Sequence, residues 1–350
     1  MQAGFAPLAQ FASVAGVWGV TFFVFWFASA AQQLFEPQKT GAWMASAAFA
    51  VCFALTLGYG IVRASNAPPA AAPVRVAALA TPAGLPDRFF EGCASRDDHA
   101  CRDAGARKRF DALFASAEAA VRSGAALVVW PEAGAQYDAA LEPEFMARAG
   151  AFARRHGVYL VAGAAQVAPE PNAPMANKAL VFDPAGRLAF DYHKAIPVPG
   201  EPIVAGDGQV HSVTTPFGRL GVVICFDADF PALVRKARRS GVDVLAIPAN
   251  DWRAITPLHG QMARFRAIEN GLAVVRATSN GLSLVADATG NVLAQSDSFA
   301  HPGGIASARL QMAARVTAYS RIGDAFAIAC AALLAGLVAM TLLRRKREAE

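Results

Sequence analysis

Three long stretches without a charged side chain constrain this protein more strongly than any other feature of its sequence. Charged residues are absent from residues 1–35, 40–62 and 325–343. A helix needs about 20 consecutive apolar residues to cross the hydrocarbon core of a membrane. Each stretch meets that requirement, so the sequence predicts three transmembrane helices. The predicted spans are residues 12–31, 42–62 and 324–343.

The ends of the chain indicate how these spans are oriented. The first stretch lacks the positively charged start of a signal peptide, and a second apolar stretch follows closely, which favours two spans over a cleaved leader. Arg344–Arg347 are four consecutive basic residues, which the positive-inside rule places in the cytoplasm. Residues 64–323 are then predicted to lie on the outer, periplasmic side of the inner membrane. Lys39 fits a cytoplasmic loop at 32–41.

The remainder of the chain predicts one large folded domain. Residues 64–73 contain three prolines among small residues and are typical of a linker. Residues 74–318 alternate between short apolar strands and amphipathic helices, with hairpin turns predicted at 183–186 and 289–291. This mixture predicts an α/β domain with mixed sheets and helices on the outside. Residues 319–350 hold the last span and a basic cytoplasmic tail.

The charge balance needs no nucleic-acid partner to explain it. A formal net charge of +5 results from 32 Lys and Arg residues and 27 Asp and Glu residues. The tail 344–350 carries four of the bases and two of the acids. One dense basic run, Arg235–Arg239, is typical of a solvated helix face. We therefore predict no nucleic-acid partner.

The five cysteines divide by their surroundings. Cys52 and Cys330 lie inside predicted spans, whereas Cys93 and Cys101 lie in a polar stretch. No histidine or second cysteine pair has the spacing of zinc ligands, so no metal and no other cofactor is predicted. In an oxidising compartment Cys93 and Cys101 could form a disulfide. Cys225 remains unpaired and is a candidate for chemistry.

Three reactive residues follow predicted strands. Glu132 comes just after the strand at 125–130, Lys194 follows a hairpin strand, and Cys225 follows the strand at 220–224. Since a helix is predicted to begin near residue 230, its positive end would lower the pKa of the Cys225 thiol. Taken singly, each residue has an ordinary reading as a surface acid, a solvated lysine or a packing cysteine.

Each of the three residues stands in a longer motif, and the motifs follow one another within residues 74–315. The motifs are Trp130-Pro131-Glu132, then Asp191-Tyr192-His193-Lys194 with Pro199-Gly200-Glu201, then Gly221-Val222-Val223-Ile224-Cys225-Phe226-Asp227 with Phe230-Pro231.

These motifs resemble those of the nitrilase, or carbon–nitrogen hydrolase, superfamily. The resemblance implies a nitrilase-like α-β-β-α sandwich, here flanked by transmembrane helices. It implies that Cys225 is the nucleophile, Glu132 the proton carrier and Lys194 the stabiliser of the oxyanion. Attack by Cys225 on an acyl carbonyl would leave a thioester, which an amine or water then resolves.

Within the superfamily, further segments resemble the apolipoprotein N-acyltransferases. This resemblance implies a phospholipid acyl donor and a lipoprotein acceptor. Glu201, Phe226, Asn250 and Trp252 are predicted as accessory or substrate-binding residues, with a backbone N–H near Phe226 assisting Lys194 at the oxyanion. The segments that carry it are Pro248–Trp252, His259–Gly271, Arg276–Gly281, and Gln10 with Gly16–Phe22.

Other features keep alternatives open. Phe226-Asp227 is closer to the soluble amidases, and the segment 202–213 is shorter than in the acyltransferases, which ordinarily have additional spans ahead of these two. A small extracytoplasmic amide or nitrile is therefore the alternative substrate. A membrane-tethered binding module without activity is the third possibility. Glu201 has two possible roles, as a carboxylate that positions Lys194 or the amine, or as a cap of nearby loop N–H groups. Trp130 and Trp252 are expected to line the pocket.

Overall fold

The computed structural model describes residues 3–35, 42–66, 72–95, 97–167, 170, 173–311 and 315–349. Parts of two predicted features, the loop at 32–41 and the linker at 64–73, lie outside the described residues. The chain divides into two compact units. One comprises 1–67, 268–270 and 316–350, and the other comprises 68–267 and 271–315.

The first unit is helical and contains the uncharged stretches. Among the described residues, three helices are long and apolar enough to cross a membrane, and they coincide with the predicted spans. Their large apolar side chains are widely exposed, as expected for side chains that face lipid rather than water. The helices of this unit are α1 (Ala6–Ala9), α2 (Ala12–Phe35), α3 (Ala42–Ser65), α8 (Ala318–Ile322) and α9 (Ala325–Ala349).

A kink at Gly16 divides α2. Gly16 has a φ of 67°, which favours glycine, and a Cβ at this position would overlap the ring of Tyr319. The N–H of Val17, at the start of the helical segment beyond the kink, donates to the Glu269 carboxylate at 2.9 Å. A carboxylate at this position satisfies a donor that the helix cannot satisfy itself.

The second unit contains two mixed β-sheets in its described residues. In the first sheet the strand order is β13-β1-β2-β4-β5-β6, with β3 also paired to β4. In the second sheet the order is β12-β11-β10-β9-β8-β7. The first-sheet strands are β1 (Val74–Leu79), β2 (Leu127–Val129), β3 (Ala135–Tyr137), β4 (Tyr159–Gln166), β5 (Ala176–Phe182), β6 (Leu188–His193) and β13 (Ile305–Leu310). The second-sheet strands are β7 (Ser212–Thr215), β8 (Gly218–Val222), β9 (Val244–Ala249), β10 (Ala273–Thr278), β11 (Leu282–Ala286) and β12 (Val292–Asp297).

Helices cover both sheets, so the layers are α-β-β-α as predicted. Along β1, Val76 and Ala78 face the core between the sheets, whereas Ala77 and Leu79 face the helices on the outer side. This alternation follows from the two-residue period of a strand. The helices of this unit are α4 (His99–Arg122) and α5 (Glu142–His156), against the first sheet, and α6 (Pro231–Arg239) and α7 (Thr256–Asn270), against the second. The last three residues of α7, 268–270, belong to the first unit.

Three strands have no counterpart in the sequence prediction, namely β3, β7 and β13. β3 has three residues, and β7 and β13 are edge strands. Very short strands and edge strands acquire their geometry from the neighbour with which they pair rather than from a strong local pattern. β13 pairs antiparallel with the whole of β1, which brings the end of the domain back beside its first strand.

Candidate active site

Glu132 lies three residues beyond the end of β2, where the chain passes close to β4. The absence of a side chain at Gly163 makes this passage possible, because a Cβ there would overlap the carbonyl oxygen of Pro131. Ala133 has a positive φ of 50°. The Glu132 side chain is buried, and its Oε1 accepts hydrogen bonds from Asn177 Nδ2 at 2.7 Å and Lys194 Nζ at 2.9 Å.

Lys194 follows the last residue of β6 and is fully buried. Its Nζ lies 2.9 Å from Glu132 Oε1 and 2.8 Å from Glu201 Oε2. Burial alone would lower the pKa of Lys194, but the charge of Glu132 and the hydrogen bonds that the ammonium donates to both carboxylates raise it above the ordinary value. The ammonium group therefore stays charged at neutral pH.

Glu201 makes the contacts expected from both interpretations of the sequence. Its Oε2 accepts from Lys194 Nζ and from the backbone N–H of Val198 at 3.0 Å. The same carboxylate thus holds the ammonium group and orders its own loop. The side chain is 36% exposed, so Glu201 is the more accessible of the two acids bound to Lys194.

Cys225 is the first residue of a 3₁₀ turn, Cys225–Asp229, and has a strained φ of 47°. Its free thiol lies 3.6 Å from the carbonyl oxygen of Asn250. The helix predicted to begin near residue 230 is α6, which begins at Pro231. The expected lowering of the thiol pKa, however, was wrong. Burial first, and then the Glu132 charge, raise the pKa of Cys225 although Arg276 and Lys194 oppose them.

Asp227 connects the cysteine turn to the lysine segment. Its buried carboxylate accepts a hydrogen bond from Tyr192 Oη at 2.8 Å and from the backbone N–H groups of Ala195, Ile196 and Ile224. Burial raises the pKa of Asp227 and outweighs these hydrogen bonds, which lower it. These bonds reach residues on both sides of Lys194 and the residue before Cys225. The arrangement therefore sets the position of the amine relative to the thiol.

A cavity of about 890 Å³ reaches these groups. Glu132, Asn177, Glu201 and Asn250 belong to its lining, so it touches the partners of both Lys194 and Cys225. Polar side chains are frequent elsewhere in the wall. They include Asp87, Arg88, Gln136, Ser279, Asn280 and Ser298.

A buried acid, a charged amine and a thiol at adjoining strand ends agree with the family suggested by the motifs. A family model described as carbon–nitrogen hydrolase matches residues 104–318, which is more than half of the chain. The chain belongs to the carbon–nitrogen hydrolase family. It is accordingly an enzyme of the nitrilase superfamily, as the motifs predicted.

Relatives and solved structures of this family agree with the fold. An apolipoprotein N-acyltransferase of Geobacter metallireducens is 28% identical, and the alignment covers 97% of this chain and 68% of the relative. A deaminated glutathione amidase of Yersinia enterocolitica is also 28% identical, but covers 35% of this chain and 48% of the relative. The crystal structure of an amidase from Nesterenkonia sp. superposes with a TM-score of 0.58 at 20% identity, covering 74% of this chain and 97% of that one.

The other nitrilase-like residues suggested by the sequence lie in different surroundings. Asn250 lines the cavity, and its carbonyl oxygen faces the thiol. Phe226 packs edge-on against Phe230, with ring centroids 5.1 Å apart. Trp252 is 53% exposed beside His259. Trp130 was expected to line the pocket but is fully buried, because its ring packs in the hydrophobic core beneath the first sheet.

Two further side chains near the site were not singled out by the sequence. Asn177 lies on β5, and its amide nitrogen donates a hydrogen bond to the Glu132 carboxylate. His259 lies in one of the acyltransferase-like segments, and its ring nitrogens contact Asp251 Oδ1 at 3.0 Å and Asp229 Oδ2 at 3.2 Å. A single histidine on a helix carries no local signal of such partners, since they come from two other segments of the chain.

Cys225, Asp251 and His259 also have the geometry of a metal site, with one ligand atom from each lying within 4.8 Å of the others. In this structure, however, both His259 ring nitrogens contact carboxylates, and Arg276 Nη2 binds Asp251 Oδ1 at 2.6 Å. A cation would have to displace these partners. The cluster is best described as an ion-pair network.

Cys93 and Cys101 form the disulfide that the sequence allowed. It joins the segment before α4 to the first turn of that helix. Residues Thr81–Arg88 and Phe90, which precede the bridge, line the cavity. The bridge therefore shortens the free length of a segment that forms one wall of the site.

Proposed function

We propose that this protein is a membrane-anchored N-acyltransferase that forms a thioester on Cys225, with a phospholipid as acyl donor and a lipoprotein amine as acceptor. The observation that carries the proposal is the position of Lys194 Nζ, which bonds to Glu132 and Glu201 at the wall of the cavity. Such an arrangement keeps a fixed positive charge where an oxyanion would form. Removing one preorganised donor of this kind costs about 10²–10³-fold in kcat.

In the first half-reaction the sulfur of Cys225 bonds to the acyl carbonyl carbon while Glu132 accepts the thiol proton. Lys194 stabilises the negative oxygen of the tetrahedral intermediate. When the carbon–oxygen bond of the donor ester breaks, Glu132 returns the proton to the leaving alcohol. The raised pKa of Cys225 suits this sequence, because the thiol keeps its proton until a carbonyl is present to accept the sulfur.

In the second half-reaction an amine nitrogen bonds to the thioester carbon and the carbon–sulfur bond breaks. Glu132 takes the amine proton and returns it to the departing Cys225 sulfur. Glu201 is placed beside Lys194 at the accessible side of the site, where a carboxylate can orient an incoming ammonium or amine. Water in place of the amine would make the same machinery an amidase or esterase.

Two observations support a lipid donor. Alignment with the acyltransferase relative extends over 97% of this chain and so includes the apolar helices, whereas the amidase relative covers 35%. In addition, Phe230, Trp252 and Leu258 are large apolar side chains that are more than a third exposed around the Cys225 turn and the start of α7. Exposed apolar side chains of this kind suit contact with a hydrocarbon chain.

The test supplies the purified full chain in detergent with phosphatidylethanolamine vesicles and follows its intact mass. We expect a fatty acyl adduct on Cys225 that hydroxylamine removes and that Cys225→Ala lacks. A diacylated lipopeptide added afterwards should remove the adduct and gain the acyl group on its amine. Phe226, Asn250 and Trp252 are proposed to contact the substrate, so Trp252→Ala should slow adduct formation more than Leu293→Ala, a second exposed apolar residue.

The polar wall of the cavity favours a second candidate, hydrolysis of a small amide or nitrile. Asn177, Asn250 and Asn280 present amide groups there, which can hydrogen-bond to a small polar substrate. The amidase function replaces the acyltransferase if two results occur together. Phosphatidylethanolamine leaves no adduct on the wild-type protein, and the wild type but not Cys225→Ala releases ammonia from short-chain amides.

A further inference from the structure

Next to the proposed nucleophile lies a second charged cluster that the acyl-transfer steps do not use. It consists of Asp229, Asp251, His259 and Arg276, which come from the cysteine turn, the loop after β9, α7 and β10. Asp251 is fully buried at the side chain, His259 is 7% exposed, and Arg276 is 3% exposed. Buried charges are costly unless each finds a partner, so the presence of this cluster beside the thiol calls for a physical reason.

The histidine joins the two segments that flank the thiol. One ring nitrogen contacts Asp229, at the end of the turn that begins with Cys225. The other contacts Asp251, which follows directly after Asn250, the residue whose carbonyl oxygen faces the thiol. A ring nitrogen of His259 and a carboxylate oxygen of Asp251 lie within 4.8 Å of Cys225 Sγ.

The contacts of His259 fit a doubly protonated imidazole. Two carboxylates face two cations only if the imidazole carries a proton on each nitrogen, and both nitrogens have an acid within hydrogen-bond reach. Burial lowers the pKa of His259, but Asp229 and Asp251 raise it to about 9. Burial alone would raise the pKa of Asp251, but His259 and Arg276 lower it below its ordinary value.

We propose that protonated His259 is a positioning residue that holds the Cys225 turn against the Asn250 loop and keeps the charge beside the nucleophile balanced. This inference rests on the proposed role of Cys225 as nucleophile. With His259 charged, the four groups carry no net charge. Without that proton a net negative charge stands beside the sulfur, disfavours the thiolate and lowers its reactivity.

The test is a series of variants that changes the charge of the cluster in both directions. His259→Gln makes it more negative, Asp229→Asn makes it more positive, and His259→Arg keeps it unchanged. The control is His211→Gln, an exposed histidine that precedes β7. The measured quantity is the rate at which iodoacetamide alkylates Cys225, followed by peptide mass spectrometry from about pH 6 to pH 10.5, with circular dichroism and Tm recorded for each variant.

We expect the pH midpoint of alkylation to rise by about one pH unit in His259→Gln, which corresponds to about a tenfold lower rate near pH 7.5. The midpoint should fall in Asp229→Asn and stay at the wild-type value in His259→Arg and His211→Gln. If His259 had a purely structural role, its substitution would lower Tm, but the alkylation midpoint would not move in opposite directions in His259→Gln and Asp229→Asn.

An unchanged midpoint in His259→Gln, or shifts of the same sign in His259→Gln and Asp229→Asn, would overturn the proposal. If His259→Gln does not fold, the decision passes to the other two variants. A wild-type midpoint in His259→Arg with a lower midpoint in Asp229→Asn supports the proposal, and any other pair of results contradicts it. Since alkylation needs no substrate, the experiment is independent of the acyl donor; loss of turnover in Cys225→Ala tests the nucleophile separately.

Discussion

At the scale of single residues, the site depends on buried charged side chains that form ion pairs and hydrogen bonds with one another. Lys194 has no exposed side-chain surface and is charged because two carboxylates surround it. Glu132 in turn shares its Oε1 between Lys194 and Asn177. An acid held by two partners has a restricted orientation, and such preorganisation is what the proposed proton carrier needs.

Asn177→Ala should lower the rate of acyl-enzyme formation by about 10–100-fold, because Glu132 loses a neutral partner that fixes its direction and small displacements of a reacting group are costly. KM for the donor should change little. The effect is measured by quenching the reaction at successive times and following the Cys225 adduct by mass spectrometry. Asn291→Ala, in an exposed turn, is the control. Equal rates in the two variants would show that Asn177 does not direct Glu132.

His259 should also make stability depend on pH. Its pKa rises from the ordinary value of 6.5 to about 9 on folding, so its contribution is complete below about pH 6.5 and is lost as the pH rises through 9. Because one pKa unit is worth about 1.4 kcal/mol, the contribution is at most about 3 kcal/mol. The Tm difference between the wild type and His259→Gln should therefore be greatest at pH 6 and shrink toward pH 10. A constant difference would contradict this expectation.

At the scale of secondary-structure elements, the proposed catalytic groups come together because the ends of their strands lie side by side. β2 leads to Glu132, β6 to Lys194 and β8 to Cys225. Each of these strands was predictable from its apolar run, and so was the order of the motifs. The close passage of the Glu132 loop over β4 was not, because it depends on Gly163, which comes thirty-one positions later in the chain.

Gly163→Ala should disturb the site much more than Gly134→Ala. A Cβ at Gly163 would overlap the Pro131 carbonyl, whereas one at Gly134 would approach the same oxygen to 3.0 Å, which a small shift can relieve. We expect Gly163→Ala to lower Tm by several degrees and to reduce the Cys225 adduct by at least tenfold, roughly the effect of overpacking by about 1–3 kcal/mol. Comparable Tm and activity in the two variants would contradict the proposed passage.

At the scale of the whole molecule, the uncharged stretches separate a lipid-facing part from a water-facing enzyme. Charge asymmetry decides orientation, since basic residues near a span stay in the cytoplasm. Arg344–Arg347 lie at the end of the last apolar helix, α9. We therefore propose that the segment between the second and third spans lies on the outer side of the inner membrane.

Alkaline phosphatase, which is active only outside the cytoplasm, measures this orientation. A fusion after Ser65 should be active, and a fusion at the C-terminal end of the chain should be inactive. Expression of both fusions is checked by immunoblotting, so that low activity is not mistaken for low abundance. The opposite pattern would place the enzyme in the cytoplasm and remove the lipoprotein acceptor from its reach.

The sequence alone determined the apolar helices, the α-β-β-α layers and the motifs that contain Glu132, Lys194 and Cys225, because these depend on local composition, on strand and helix periods and on short runs of residues. Only the tertiary structure decided which groups surround them. Asn177, Asp227 and His259 have meaning through partners on other elements, and the pKa of Cys225 rises because the folded chain buries it. Burial and partner distance are properties of the packed molecule, and no local pattern of residues encodes them.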